Sequence, residues 1–410
     1  MNLTVLRDRA LLVLPFLAAL AALPYIIPGG TAVPWAPWTV DLQVYRDAAQ
    51  TVLNGGDIIA LRSGYHHLAF IYPPIAAVLA IPMTWVSYTA LQVIWTGISV
   101  ACLLAVLRRF GVPGDWRLAL AGLACVLLAE PVWKTLGYGQ VNLVLLALVA
   151  LDVLPRADGR RWLLGGVGTG IAAAIKLTPA LFVVYLFLIG RRRDGLVAVA
   201  TFTFLSVLGY VVEPRATKAF WRGLLIDHDT RTPTGPITMS NQAVSGFFAR
   251  VVGESGTIGL IALAVSALVA LTGLVAGLYW HRAGEERIAV GVIGVASVLA
   301  SPLAWSHHFV WAVPLALAIW LHGWRTVPRG TLVVGSFWLV WVLAGRYMLL
   351  PDGNFQERSF VWWQDAIAAV TPVLGVTLLV VTLLDARAAA ARSGAGLRGN
   401  PRVTHRRLTG

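Results

Sequence analysis

An all-helical, polytopic membrane protein is the fold class that the sequence predicts, on three observations. Hydrophobic residues make up 58% of the 410 residues, charged residues only 12%, and the mean hydropathy is +0.75. A soluble domain carries about 25% charged residues. Apolar runs of membrane-crossing length recur from residue 10 to residue 385. Arginine clusters punctuate the ends of those runs. Together these exclude a nucleic-acid-binding protein, a soluble nucleotide-binding enzyme and a disulfide-built secreted module. They also exclude an outer-membrane barrel, whose strands are shorter and alternate apolar with polar residues.

The first run, 10–27, follows Arg7 and Arg9 and carries no evident small-residue cleavage site. It reads as a retained first helix rather than a signal peptide. Further helices are expected near 88–107, 117–131, 140–154, 162–175, 178–190, 195–212, 257–280, 288–303, 307–321, 331–350 and 361–384, about twelve in all. Several are well short of the ~20 residues that cross a bilayer upright. Short runs of this kind point to tilted or broken helices around a cavity.

The segment 74–86 decides the topology. If it crossed the membrane, Arg108–Arg109 would lie outside. As a shallow helix on the outer face, it leaves every arginine cluster inside: Arg108–Arg109, Arg156–Arg160–Arg161, Arg191–Arg192–Arg193, Arg282–Arg287, Arg325–Arg329 and the C-terminal tail. Inner segments then hold 21 of the 32 Lys and Arg and 8 of the 19 Asp and Glu, and outer segments hold 11 of each. The net charge of +13 is therefore topological and says nothing about an anionic partner.

A single transmembrane domain, 1–386, follows from this pattern, with a basic, disordered cytoplasmic tail at 387–410. Outer loops 28–87 and 213–256 roof it. In the first loop Leu42, Tyr45, Ala49, Val52 and Leu53 share a helical face, with Trp35 and Trp38 as interfacial anchors. Gly55–Gly56 ends that helix. Cys102 and Cys125 sit in apolar runs and read as small core residues. No internal repeat of the transporter kind stands out.

Polar groups at membrane depth are costly and mark function. Asp41, in the first turn of the interfacial helix, reads either as a general base for an incoming hydroxyl or as an N-terminal cap. Lys176 interrupts an apolar stretch just before the helix-breaking Pro179. It reads as a cation lining a cavity or as a snorkelling side chain. His307 and His308 point about 100° apart on a helix, which disfavours joint metal ligation. They read as phosphate-facing imidazoles or as helix-end residues in the headgroup zone. Neutral amides and aromatics suited to sugar hydroxyls add Tyr45, Arg62, His66, His67, Tyr72, Gln140, Asn142, Asn241, Gln242 and Trp305 as weaker candidates. No nucleotide-binding motif is present, so an outer-face enzyme must take a donor already activated in the membrane.

Six stretches carry a family resemblance: Asp41-Leu42-Gln43-Val44-Tyr45, Tyr72-Pro73-Pro74, Gly139-Gln140-Val141-Asn142, Ala174-Ile175-Lys176-Leu177-Thr178-Pro179, Asn241-Gln242 and Ser301-Pro302-Leu303-Ala304-Trp305-Ser306-His307-His308. In this order the chain resembles the actinobacterial glycosyltransferase family eighty-seven, of the C-type glycosyltransferase fold. The resemblance implies inverting transfer of mannose from polyprenyl-phosphate-mannose to a phosphatidylinositol mannoside, forming an α-1,2 linkage. It implies Asp41 as base and Lys176, His307 and His308 at the donor phosphate. It further implies a multi-pass protein of the bacterial inner membrane, with the site facing the periplasm and both termini cytoplasmic. The expected partners are the lipid-linked donor, a glycolipid acceptor and membrane lipids, with no nucleic acid. No cofactor or metal is required, and a monomer is expected. The alternatives are arabinofuranosyl or lipomannan-branching transfer from a polyprenyl-phosphate donor, and a lipid transporter without chemistry.

Overall fold

The computed structural model describes residues 39–64, 67–155, 165–223, 235–253, 256–323, 327–351 and 356–392. The expected helix at 10–27, the anchors Trp35 and Trp38, His66 and the tail beyond Arg392 lie outside these residues. The described chain is helical, and among the described residues the only β-pairings are isolated bridges, Ser63 with Leu68 and Asn241 with Trp305.

The chain enters through α1 (Val40–Leu53), α2 (Pro74–Leu79) with a 3-10 turn at Ile81–Trp85, α3 (Tyr88–Arg109), α4 (Trp116–Leu128) and α5 (Glu130–Tyr138). It continues through α6 (Asn142–Val153), α7 (Val167–Ile175), α8 (Ala180–Leu188), α9 (Arg192–Val212), α10 (Pro214–Arg222) and α11 (Val244–Val251). It closes with α12 (Gly256–Arg282), α13 (Glu286–Leu299), a 3-10 turn at Ser306–Trp311, α14 (Ala312–Leu317), α15 (Arg329–Leu343) and α16 (Trp362–Arg392). By length and composition four described helices suit a membrane crossing: α3, α9, α12 and α16. A fifth span forms if α4 and α5, bent by 78° at Ala129, count as one.

Several elements differ from the sequence expectation, each for a local reason. The run expected at 117–131 breaks at Ala129, because Pro131 occupies the first turn of a new helix, where its missing N–H costs nothing. The helix expected at 307–321 is a 3-10 turn that kinks at Phe309, then a short α-helix containing Pro314 and a π-turn at Ala318–Gly323. The run 331–350 stops at Leu343, and Gly345 turns the chain at φ 60°. In the first loop Leu53 is exposed, and the packed face is Leu42, Val44, Tyr45, Ala48 and Ala49, so α1 sits in the core rather than floating on the surface. α16 runs six residues past 386, into what the sequence suggested as tail.

The helices sort into a buried core and a lipid-facing shell. α13 is buried from Ile288 to Leu299. It packs on α12 across Gly273 and Gly277, where an added Cβ would lie 2.1 Å from the Ala296 side chain and 2.5 Å from that of Ile293. Small residues four apart allow this close approach inside a membrane. α9 instead exposes Phe204, Val207 and Val211, as a helix bathed in lipid does.

Candidate active site

The site forms where α1, α5, α6, the α7–α8 break and the 305–308 turn converge. Thr39 precedes α1 with φ 52°, a left-handed backbone rare for a β-branched residue. Three bonds hold it there: its N–H donates to the Gly137 carbonyl at 2.8 Å, Gln92 Nε2 donates to its hydroxyl at 2.7 Å, and Tyr88 donates to its carbonyl at 2.9 Å. Such strain costs about 1–3 kcal/mol and persists only where the surroundings impose it. The facing turn needs Gly139 at φ +67°, and a Cβ there would meet Leu42 at 2.6 Å. These two turns lock Asp41 against Gln140.

Asp41 is not a cap. The cap position of the helix is Thr39, whose side chain makes no capping bond, and the Asp41 carboxylate bonds Gln140 instead. Its Oδ2 accepts from Gln140 Nε2 at 2.9 Å. Gln140 Oε1 in turn accepts from Tyr45 at 2.9 Å and Tyr72 at 3.1 Å. The two tyrosines thus fix the amide so that its N–H faces the carboxylate. Burial pushes the Asp41 carboxyl up to about 6, against the opposing pull of the Gln140 bond and the Lys176 charge.

Across from this pair, Lys176 caps α7 at the break before Pro179. Its Nζ donates to Asn142 Oδ1 at 3.2 Å and lies 3.0 Å from His308 Nε2. With the ammonium as donor, His308 Nε2 accepts and its proton sits on Nδ1. Lys176 also lies 5.8 Å from the centre of the Tyr72 ring, which links this group to the Asp41 network. Asn142, Lys176, Thr178 and His308 line a small cavity whose other walls include Leu145, Leu146, Pro179, Val298 and Trp311.

His307 is buried between Tyr138 at 4.9 Å and Trp305 at 5.8 Å, and neither of its ring nitrogens has a hydrogen-bond partner. Its carbonyl accepts from Thr135 and Asn142, each at 3.0 Å. Asn241 and Gln242 do not face the cavity. Asn241 Oδ1 accepts from the Ala304 N–H at 3.0 Å, and the Gln242 N–H donates to the Ala304 carbonyl at 2.8 Å. They brace the strand-like stretch leading into Trp305. Arg62 is exposed and donates to the Ile59 and Leu61 carbonyls of its own loop, while His67 is exposed at a turn with φ 50°. The structure therefore brings together Asp41, Tyr45, Tyr72, Gln140, Asn142, Lys176, His308, His307 and Trp305, and leaves Arg62 and His67 apart.

Sequence reasoning missed a second polar cluster beneath the 305–308 turn. Glu130 is fully buried; its Oε1 accepts from Ser306 at 2.6 Å and Tyr347 at 2.7 Å, with Lys134 Nζ at 3.5 Å. Lys134 donates to Tyr347 at 2.8 Å, and the Tyr347 and Ser306 hydroxyls also bond. The available signal was an acid and a base four residues apart in an apolar run, the spacing of a helical ion pair.

A carboxylate with near-neutral proton affinity, close enough to a cation to feel its charge, with an imidazole bonded to that cation, is suited to moving a group from an anionic leaving group to a hydroxyl. Residues 70–302 match the model of glycosyltransferase family 87. The chain belongs to that family. It is 33% identical to a protein of Mycolicibacterium smegmatis named polyprenol-phosphate-mannose-dependent alpha-(1-2)-phosphatidylinositol pentamannoside mannosyltransferase, over 91% of this chain and 88% of that protein. It is 32% identical to a Mycobacterium tuberculosis protein named polyprenol-phosphate-mannose-dependent alpha-(1-2)-phosphatidylinositol mannoside mannosyltransferase, over 80% of this chain and 81% of that protein. No solved structure matches the chain.

Proposed function

We propose that the protein transfers mannose from polyprenyl-phosphate-mannose to a mannose hydroxyl of a phosphatidylinositol mannoside, on the outer face of the cell membrane, forming an α-1,2 linkage. The observation that carries this reading is the Asp41–Gln140 pair set against the Lys176–His308 pair. Asp41 takes the proton of the acceptor hydroxyl. The oxygen attacks the anomeric carbon of the β-mannosyl phosphate, the bond from that carbon to the phosphate oxygen breaks, and the sugar inverts to α. Polyprenyl phosphate leaves with the bonding electrons, its charge met by Lys176 and the imidazoles. Preorganised donors of this kind in a water-poor site are worth a few kcal/mol. One carboxylate suffices, because phosphate leaves without the protonation that an alkoxide needs in glycoside hydrolysis.

The test is transfer of labelled mannose by purified protein from polyprenyl-phosphate-mannose to a phosphatidylinositol tetramannoside. Extension of the acceptor by wild-type protein, with a folded but inactive Asp41→Asn, supports the reading. Inertness with this donor alongside activity with a polyprenyl-phosphate arabinose donor removes the mannosyl assignment. Full activity of Asp41→Asn removes the base.

A further inference from the structure

Outer segments hold 11 of the 32 Lys and Arg, and three of those eleven fall in one short helix, α10: Arg215, Lys218 and Arg222. At roughly 100° per residue the three lie within about 60° of one another. All three are exposed. The opposite side of α10 is the packed one. Ala216 and Thr217 are buried, the Thr217 hydroxyl donates to the Gly209 carbonyl at 3.1 Å, and the Trp221 ring meets Phe202 of α9 at 6.4 Å. α10 therefore folds back along α9 and turns a cationic stripe outward.

Two neighbours say what the stripe faces. Lys218 Nζ stands 5.8 Å from the centre of the exposed Tyr210 ring, next to Val207 and Val211 on the lipid-facing side of α9. The stripe thus borders apolar lipid-facing surface, the level at which lipid phosphates sit. α10 also touches α2, whose Ile75 packs against Gly209 of α9. α2 follows directly from Tyr72, whose hydroxyl belongs to the Asp41 network. One short helix separates the stripe from the site.

We infer that Arg215 and Lys218 of this stripe bind the phosphodiester of the glycolipid acceptor, anchoring its lipid end while its mannose end reaches Asp41. The inference rests on the proposed function, and it adds a second anion site. The donor phosphate goes to the buried Lys176–His308 cavity, whereas an exposed stripe at lipid level suits a phosphodiester that stays at the membrane surface. Charge complementarity selects the occupant, since the acceptor's headgroup carries a negative phosphodiester.

The test compares wild type with Arg215→Glu/Lys218→Glu on two acceptors, a phosphatidylinositol mannoside and an alkyl oligomannoside without phosphate. Each basic group near an anionic headgroup contributes roughly a fivefold gain in affinity. The KM for the phospholipid acceptor is expected to rise at least about tenfold. The KM values for the phosphate-free acceptor and the donor, and kcat, stay unchanged. Equal shifts for both acceptors, or none, overturn the inference. A loss that appears only in bilayers rich in phosphatidylglycerol, for either acceptor, assigns the stripe to bulk lipid and also overturns it. If wild type proves inert with a mannosyl donor, thermal stabilisation by the two acceptors decides independently. Stabilisation by the phospholipid acceptor that is lost in the variant supports the inference, and equal stabilisation of both proteins contradicts it.

Discussion

Asp41 and Glu130 are both carboxylates set into the helical bundle, yet their surroundings differ in kind. Glu130 is fully buried, and one of its oxygens takes hydroxyl donors from Ser306 and Tyr347 with a lysine one helical turn away. Asp41 is only half-buried and holds one amide donor, from Gln140. The tyrosine hydroxyls near it spend their protons on the other end of that amide. Burial with a single donor raises the affinity of the Asp41 carboxylate for a proton. Glu130 holds the 305–308 turn in place through Ser306 and Tyr347, whereas Asp41 is the residue proposed to exchange a proton.

Substitutions that attack each side of this contrast are expected to act on different observables. Asp41→Asn keeps the size of the side chain and a hydrogen bond to Gln140, so the folded protein survives. Its kcat falls by roughly 10²–10⁴, the range of a lost general base, as a transfer assay on protein with an unchanged melting profile will show. Glu130→Ala strands Lys134 and two hydroxyls in a dry interior. It costs about 3–5 kcal/mol of stability, read as a lower melting temperature and poor recovery of monodisperse protein, with Glu130→Gln milder. Lys176→Met removes a charge-assisted bond worth about 1.5–3 kcal/mol, so the donor KM rises roughly ten- to a hundredfold. The smallest effects belong to Arg62→Ala and His67→Ala, exposed and remote from the cavity, whose activity stays within about twofold.

The membrane class and most helix positions were legible because apolar runs and arginine clusters are one-dimensional signals. So were Asp41, Gln140, Asn142, Lys176 and His308, each a polar residue whose presence in an apolar stretch demands a reason. What escaped was three-dimensional. Asn241 and Gln242 read as sugar-binding amides, but they serve the backbone around Ala304, a partner 62 residues or more away that no spacing reveals. Glu130 lies inside a run whose apolarity predicts one helix, and the break at Ala129 turns it toward Ser306 and Tyr347. The face of α1 was misjudged at Leu53, where the helix ends and its last side chain escapes the core.

The most direct test of the account is the pH dependence of single-turnover transfer. Asp41 must be ionised to accept the proton, and burial places its carboxyl at about 6. The rate should fall about tenfold per pH unit below 6. In Lys176→Met the fall should begin at higher pH, because the positive charge that favours the Asp41 anion is gone. A wild-type rate that stays flat from pH 5 to pH 8, or a limb unmoved in Lys176→Met, would contradict the assignment of Asp41 as the base.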